Sequence, residues 1–351
     1  YQVNLRLVSE LRTEWWSVST HPVSGMYPIG AWQPGEVVTD WHEVRLAQDL
    51  PPGTYRLEVA LFYPFSRTGL AISEGQDWAA LLKLKVEAPP VPAPVPQHRL
   101  GAIAPGQWQL VGYDLPATAQ PRERIPLRLH WEAIASLPDL EINWRVLPEP
   151  GASDPPPPSE PVWSRSAPGQ GEYPTTSWAP RQRVITRHSL LMPAQGEYAT
   201  VQIAVRQHLP DADPVPFFPR WLSGKTTVLD LPPIRLAGLP AGAINYRDRI
   251  LLLESDLSAY QGQEFPPGAP VELRLVWQAA REMEHDYTLF VQLLAPDGTL
   301  KGQIDVWPRD GTHPTSQWRE GERVEDHYQV YLDVDAPAGR YQVAVGWFLL
   351  E

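Results

Sequence analysis

The opening of the chain recurs near its end. Residues 1–62 align with 287–348 without a gap, so that Tyr1 meets Tyr287, Leu7 meets Leu293, Pro22 meets Pro308 and Trp32 meets Trp318. The match continues with Gly35 and Glu36 against Gly321 and Glu322, Val38 against Val324, Asp40 against Asp326, and Gly53 with Tyr55 against Gly339 with Tyr341. Identity at roughly a third of the positions over such a span is the mark of one structural unit used more than once. A middle copy is looser. LRLHWEA at 127–133 repeats as LRLVWQA at 273–279, and YPTTSW at 173–178 repeats as HPTSQW at 313–318, with a Pro-rich insertion at 154–161 setting the copies apart.

The prolines limit what such a unit can be. The 41 Pro in 351 residues, far above the usual level of about 5%, are incompatible with long helices and with central strand positions. Runs of alternating apolar residues carry the opposite signal: Val3, Leu5, Leu7; Tyr55, Leu57, Val59, Leu61; Val271, Leu273, Leu275, Trp277; Leu289, Val291, Leu293; Tyr341, Val343, Val345, Trp347. Side chains at i and i+2 share a strand face, so each run is a strand with one buried face. Turns such as QPGE at 33–36, PPGT at 51–54 and APDG at 295–298 separate them. The expected fold is all-β: tandem antiparallel β-sandwich modules of immunoglobulin-like or jelly-roll type, in three repeats.

Composition places the boundaries. APPVPAPVP at 88–96 reads as an extended polyproline spacer, and LPPIRLAGLPAGA at 231–243 marks the second junction. The expected modules are 1–88, lacking the opening half; 97–236, complete and carrying the Pro-rich insertion; and 242–351, lacking the closing strands. The outer two are incomplete, which makes self-association through exposed sheet edges an expectation. The chain begins at Tyr1 without Met or a signal pattern and reads as a mature product or a piece of something longer.

Charge and residue usage exclude several classes. A net charge of −12 repels phosphate backbones and anionic headgroups, so no nucleic-acid partner is expected. With no Cys there is neither a disulfide framework nor a thiolate metal site, and no apolar run reaches the roughly 20 residues that span a bilayer. No transmembrane segment is expected, although a longer precursor could tether the chain to one. Scarcity of Asn, Met and Cys fits a hot habitat.

The repeated motif P-x-x-G-x-x-P followed by W-x-x-G-E-x-V-x-D supplies the candidate site: Trp32, Glu36 and Asp40 in the first copy, Trp178 in the second, and Trp318, Glu322 and Asp326 in the third. An indole face under a pyranose ring with carboxylates taking the hydroxyls would make these a glycan site. The structural alternative makes Trp a core plug at a sheet corner, Pro-Gly-Glu a turn, and Asp the start of the next strand or a cap on the turn. The middle copy favours the structural role, because Arg181, Gln182 and Thr186 replace Gly, Glu and Asp while Trp178 stays. Asp305, Asp310, Glu320, Glu322, Glu325 and Asp326 crowd the third copy as hard-oxygen candidates for calcium, but without a recognised loop spacing. The nine His form no zinc pattern, and no nucleophile elbow, phosphate loop or dinucleotide fingerprint occurs. Neither a catalytic residue nor a cofactor or metal is assigned.

RILLLESDL, PPGAPVELRLVW, DYTLFVQLLAPDG, HPTSQWREGERVEDHYQVYL and APAGRYQVAVGWF resemble the β-sandwich modules C-terminal to the transmembrane region of mannosyltransferase-like (PMT-type) membrane glycosyltransferases of Chloroflexi-like bacteria. The resemblance covers the third copy well, the first over its matching half and the second loosely. It implies an exported ectodomain, extracellular or at the cell surface, and carries no catalytic residue onto this chain. The leading expectation is a non-enzymatic array for surface architecture or interaction, self-assembling by strand complementation. The alternative is a carbohydrate-binding accessory ectodomain, with a glycan as its partner.

Overall fold

The computed structural model describes residues 1–351 except 21, 26, 28, 45, 48–49, 63–68, 73–76, 88–93, 150–161, 220–223, 257–261, 310 and 350–351. The polyproline stretch through residue 93 and the insertion at 154–161 thus lie outside the described residues. Among those described, the chain is strands, short 3-10 turns and loops, with no α-helix, and no helix is long and apolar enough to cross a membrane. The chain divides into two compact units. One comprises 1–45, 55–84 and 240–351, and the other 46–54 and 85–239.

The N-terminal segment forms one sheet from β1 (Gln2–Ser9), β2 (Glu14–Thr20), β3 (Gly53–Phe62) and β4 (Ala79–Val86), in the order β2-β1-β3-β4. Leu5, Leu7 and Tyr55 are buried on one face, as the alternation predicts. On the other face Glu58 is buried beneath Arg6, Arg12 and Arg56, at 2.8, 3.0 and 3.3 Å. The Arg6 guanidinium also lies 3.7 Å over the Trp78 ring. Edge strand β4 carries Lys83 and Lys85, charges that discourage uncontrolled strand addition.

The middle segment is a sandwich. β5 (His98–Ala104), β6 (Trp108–Asp114), β8 (Arg124–Ala133) and β11 (Arg183–Leu191) form one sheet, in the order β11-β8-β6-β5; β7 (Thr118–Ala119), β9 (Leu140–Glu149), β10 (Ser164–Ser166), β12 (Tyr198–Gln207) and β14 (Ile234–Leu236) form the other, in the order β10-β9-β12-β14-β7, with β13 (Leu229–Asp230) also on β12. Inward residues of both, among them Leu127, Leu129, Trp131, Ile142, Val201 and Ile203, close one core. Trp108 anchors it edge-on to Trp131, with ring centroids 5.3 Å apart at 80°. Only glycine fits at Gly112, since a Cβ there would stand 2.2 Å from the His98 carbonyl oxygen.

The C-terminal segment repeats the plan with fewer strands. β15 (Ile244–Tyr246), β16 (Ile250–Ser255), β17 (Pro270–Ala279) and β20 (Arg323–Tyr331) form a sheet in the order β15-β16-β17-β20, facing β18 (Tyr287–Leu294), β19 (Leu300–Val306) and β21 (Gln342–Leu349) in the order β19-β18-β21. Trp277, Trp318 and Trp347 meet in its core, Trp347 edge-on to the other two at 4.8 and 6.0 Å. Ile250, Leu251, Leu252 and Leu253 are buried in succession, so β16 is covered on both faces.

Strand register shows how closely the matched sequences fold alike. Gln2 faces Phe62 as Thr288 faces Phe348, and Leu5 faces Val18 as Val291 faces Ile304. Even the irregularity at the end of β1 against β2 recurs in β18 against β19. Likewise Leu127 faces His188 as Leu273 faces Tyr328. The first copy departs at one place. Residues 323–331 form β20 against β17, whereas their counterparts beginning at Val37 hold no strand over the described residues 37–44.

Candidate functional site

The repeated motif builds a corner that occurs three times. A 3-10 turn precedes each tryptophan: Ile29–Ala31, Thr175–Ser177 and Thr315–Gln317. Pro174 and Pro314 open the second and third with φ of −63° and −61°, values the pyrrolidine ring dictates. The tryptophan amide then closes the turn at 3.1 Å in all three, Trp32 on Ile29, Trp178 on Thr175 and Trp318 on Thr315.

Each indole N–H donates to the carbonyl five residues earlier: Trp32 to Tyr27 at 3.2 Å, Trp178 to Tyr173 at 3.3 Å and Trp318 to His313 at 3.0 Å. The side chain four residues after the tryptophan closes the loop. Glu36, Gln182 and Glu322 accept the amide N–H of Gln33, Ala179 and Arg319 at 2.8, 2.8 and 2.9 Å. The same side chains reach the residue that holds the indole. Tyr27 Oη donates to Glu36 at 2.9 Å, Gln182 Nε2 donates to Tyr173 Oη at 2.8 Å, and His313 Nε2 lies 2.8 Å from Glu322 Oε1. An oxygen acceptor is what the corner needs, which explains why glutamine replaces glutamate in the middle copy.

Backbone geometry accounts for the rest of the motif. The residue before Glu or Gln adopts the left-handed conformation: Gly35 at φ 85°, Gly321 at 77°, and Arg181 at 65° in the middle copy. Two copies tie this turn to the neighbouring strand. Gly321 N–H donates to Ala279 and Ala279 N–H to Glu322, at 2.8 and 3.0 Å; Arg181 and Ala133 make the equivalent bonds with Ala133 and Gln182, at 2.6 and 3.0 Å. Thr175 and Thr315 stitch the corner to the start of the next sheet. Thr315 Oγ1 donates to His285 and accepts from Tyr287, and Thr175 does the same with Pro138 and Leu140. No periodicity points to these threonines or to Tyr27, Tyr173 and His313; only the alignment of copies does.

The three motif tryptophans differ in burial. Trp178 and Trp318 are core residues, 4% and 1% exposed, while Trp32 is half-buried. Asp326 is buried in β20, accepting from the Arg309 amide at 2.6 Å and the Tyr328 hydroxyl at 2.7 Å. In the first copy Asp40 pairs with His42 Nε2 at 2.9 Å. Thr186 and His188 occupy the same two positions in the middle copy, 2.9 Å apart. For Glu322, burial works to raise the carboxyl, but hydrogen bonds from His313 and the Arg319 amide outweigh it and hold it below the ordinary carboxylate range.

The acidic residues of the third copy do not converge. Glu325 pairs with Arg274 at 2.6 Å, and Glu322 and Asp326 serve the contacts above; Asp310 lies outside the described residues. Among the described residues no group of three or more His, Asp or Glu is placed to hold a metal ion. One open groove of about 590 Å3 lies in the middle segment, lined by Glu141, Arg165, Ser166, Ala167, His208 and Leu209. It contains none of the motif residues. No protein-family model matches the chain, and no curated protein matches it.

Proposed function

We propose that the chain is a non-enzymatic array of three β-sandwich modules, working outside the cell or at its surface in architecture or interaction, and joining neighbours by strand complementation. The observation that supports this reading is the fate of the repeated motif. Its indole N–H groups, carboxylates and amide are spent on holding a corner, and the interchange of Glu36, Gln182 and Glu322 preserves an acceptor oxygen without preserving a charge. A catalytic carboxylate does not survive exchange for an amide, whereas a turn-holding one does. Light scattering of the full chain over a wide concentration range tests the assembly. Growth with concentration is expected, and a monomer throughout would overturn it. Saturable turnover of a glycoside or ester, abolished by a single carboxylate substitution, would overturn the non-enzymatic part.

A further inference from the structure

We propose that the groove on the middle sandwich binds a neutral saccharide, with Glu141 and Arg165 as its polar contacts. Neither residue belongs to the repeated motif, and the inference goes beyond the assembly reading without resting on it. Glu141 leaves β9 on the face away from the core, between Leu140 and Ile142, which point inward. That face is covered all the same: Glu141 is 9% exposed and Asn143 2%. Asn143 Nδ2 donates to Glu141 Oε1 at 3.2 Å, and among the described residues no cation pairs with the carboxylate. Arg206, opposite it on β12, donates instead through Nη1 to the Ala212 carbonyl at 3.4 Å.

The other copies show that the fold asks for no charge at this position. Thr175 holds the Leu140 amide as Thr315 holds that of Tyr287, so Glu141 stands where Thr288 does, and Thr288 corresponds to Gln2. Thr288 is fully buried and accepts from Trp307 Nε1 at 3.2 Å, while Gln2 accepts from the Ser19 hydroxyl at 3.4 Å. Both are neutral and are served by their own chain. A carboxylate buried to this degree without a cation costs stability, and the middle copy alone carries one here, on the wall of the groove.

The groove is chemically mixed. Glu141 as a carboxylate only accepts hydrogen bonds, and Arg165, exposed on β10 opposite Asn143, only donates them. Asp139 fixes His208 on the rim, its carbonyl accepting the His208 amide at 2.9 Å and its carboxylate lying 3.2 Å from the ring. Ala167, Leu209 and Pro210 supply apolar surface, and Leu209 is 62% exposed. The charges of Glu141 and Arg165 cancel, which disfavours a small ion of either sign. A donor and an acceptor beside apolar surface suit the hydroxyls and C–H faces of a sugar. The volume of about 590 Å3 falls within the roughly 300–1,000 Å3 of small-ligand sites and admits a short oligosaccharide.

The test probes an array of neutral, sulfated and uronic-acid oligosaccharides with the full chain, then titrates the strongest neutral probe by calorimetry. Saturable binding of a neutral probe is expected, weakened about tenfold or more by Glu141→Gln and by Arg165→Ala. Glu141→Gln keeps an acceptor for Asn143, and Arg165 is exposed and unpaired among the described residues, so both variants should fold with a thermal midpoint no lower than that of the wild type. A lowered midpoint in Glu141→Gln would give the carboxylate a structural role and overturn the inference. So would the absence of any bound neutral probe, binding confined to sulfated or uronic-acid probes, or affinity unchanged in either variant.

Discussion

Acidification should destabilise the middle sandwich through one residue, His188. Its ring is almost wholly buried on β11, 4.7 Å from Trp144. Trp131 Nε1 donates to Thr186 Oγ1 at 2.9 Å, and His188 Nε2 lies 2.9 Å from the same oxygen. Nδ1 has no hydrogen-bond partner among the described residues to stabilise a charge. Burial lowers the pKa from 6.5 to about 3. Because the folded value is depressed, the stabilisation from the neutral ring is complete above pH 6.5 and is lost as pH falls from there towards 3. Each pH unit in that window costs about 1.4 kcal/mol, or about 3 kcal/mol between pH 7 and pH 4. Urea denaturation of the wild type and His188→Leu across this range isolates the effect, since the remaining groups titrate in both. The wild type should lose about 3 kcal/mol more than the variant, and parallel profiles would refute the buried neutral histidine.

Truncating the corner tryptophans should grade with their burial: Trp178→Ala and Trp318→Ala are expected to cost about 3–5 kcal/mol each and Trp32→Ala less than half of that, measured by thermal unfolding. Equal losses at all three would contradict the incomplete burial of the first copy. Arg181→Gly should stabilise the middle segment by about 0.5–1 kcal/mol, because an L-residue held at φ 65° is strained where glycine is not. A lowered midpoint would show instead that the Arg181 side chain makes contacts worth more than the strain.

Much of the architecture is legible in the sequence, for a physical reason. Alternation at Val3, Leu5 and Leu7 or at Leu289, Val291 and Leu293 reports which face a strand buries, and an ungapped repeat carries the register with it. The corner is legible as well, since Trp followed by Gly-Glu names a plug and a turn. The partners that complete it show only once the copies are aligned. Tyr27 and Tyr173 are matched in the third copy by a different residue, His313, which shares with them only an ability to hydrogen-bond, and Thr315 acts on His285 and Tyr287, about 30 positions away. Alternation also says nothing about a strand covered twice. The run Ile250–Leu253 carries that signal as four consecutive apolar residues, a pattern that composition alone does not separate from a short buried helix. Most of all, a strand pattern does not reveal whether its neighbour is present: 37–44 has the residues of β20 and not its structure.

The corner's indifference between glutamate and glutamine has a colloidal consequence. Its turn amide needs a lone pair, so one elementary charge can be added or removed at each corner while the fold stands. A chain that carries −12 overall therefore has three positions at which mutual repulsion between neighbouring molecules is adjustable separately from stability. How closely such molecules crowd together can drift from one sequence to the next through a single atom, oxygen or nitrogen, on a side chain whose other oxygen never leaves its amide.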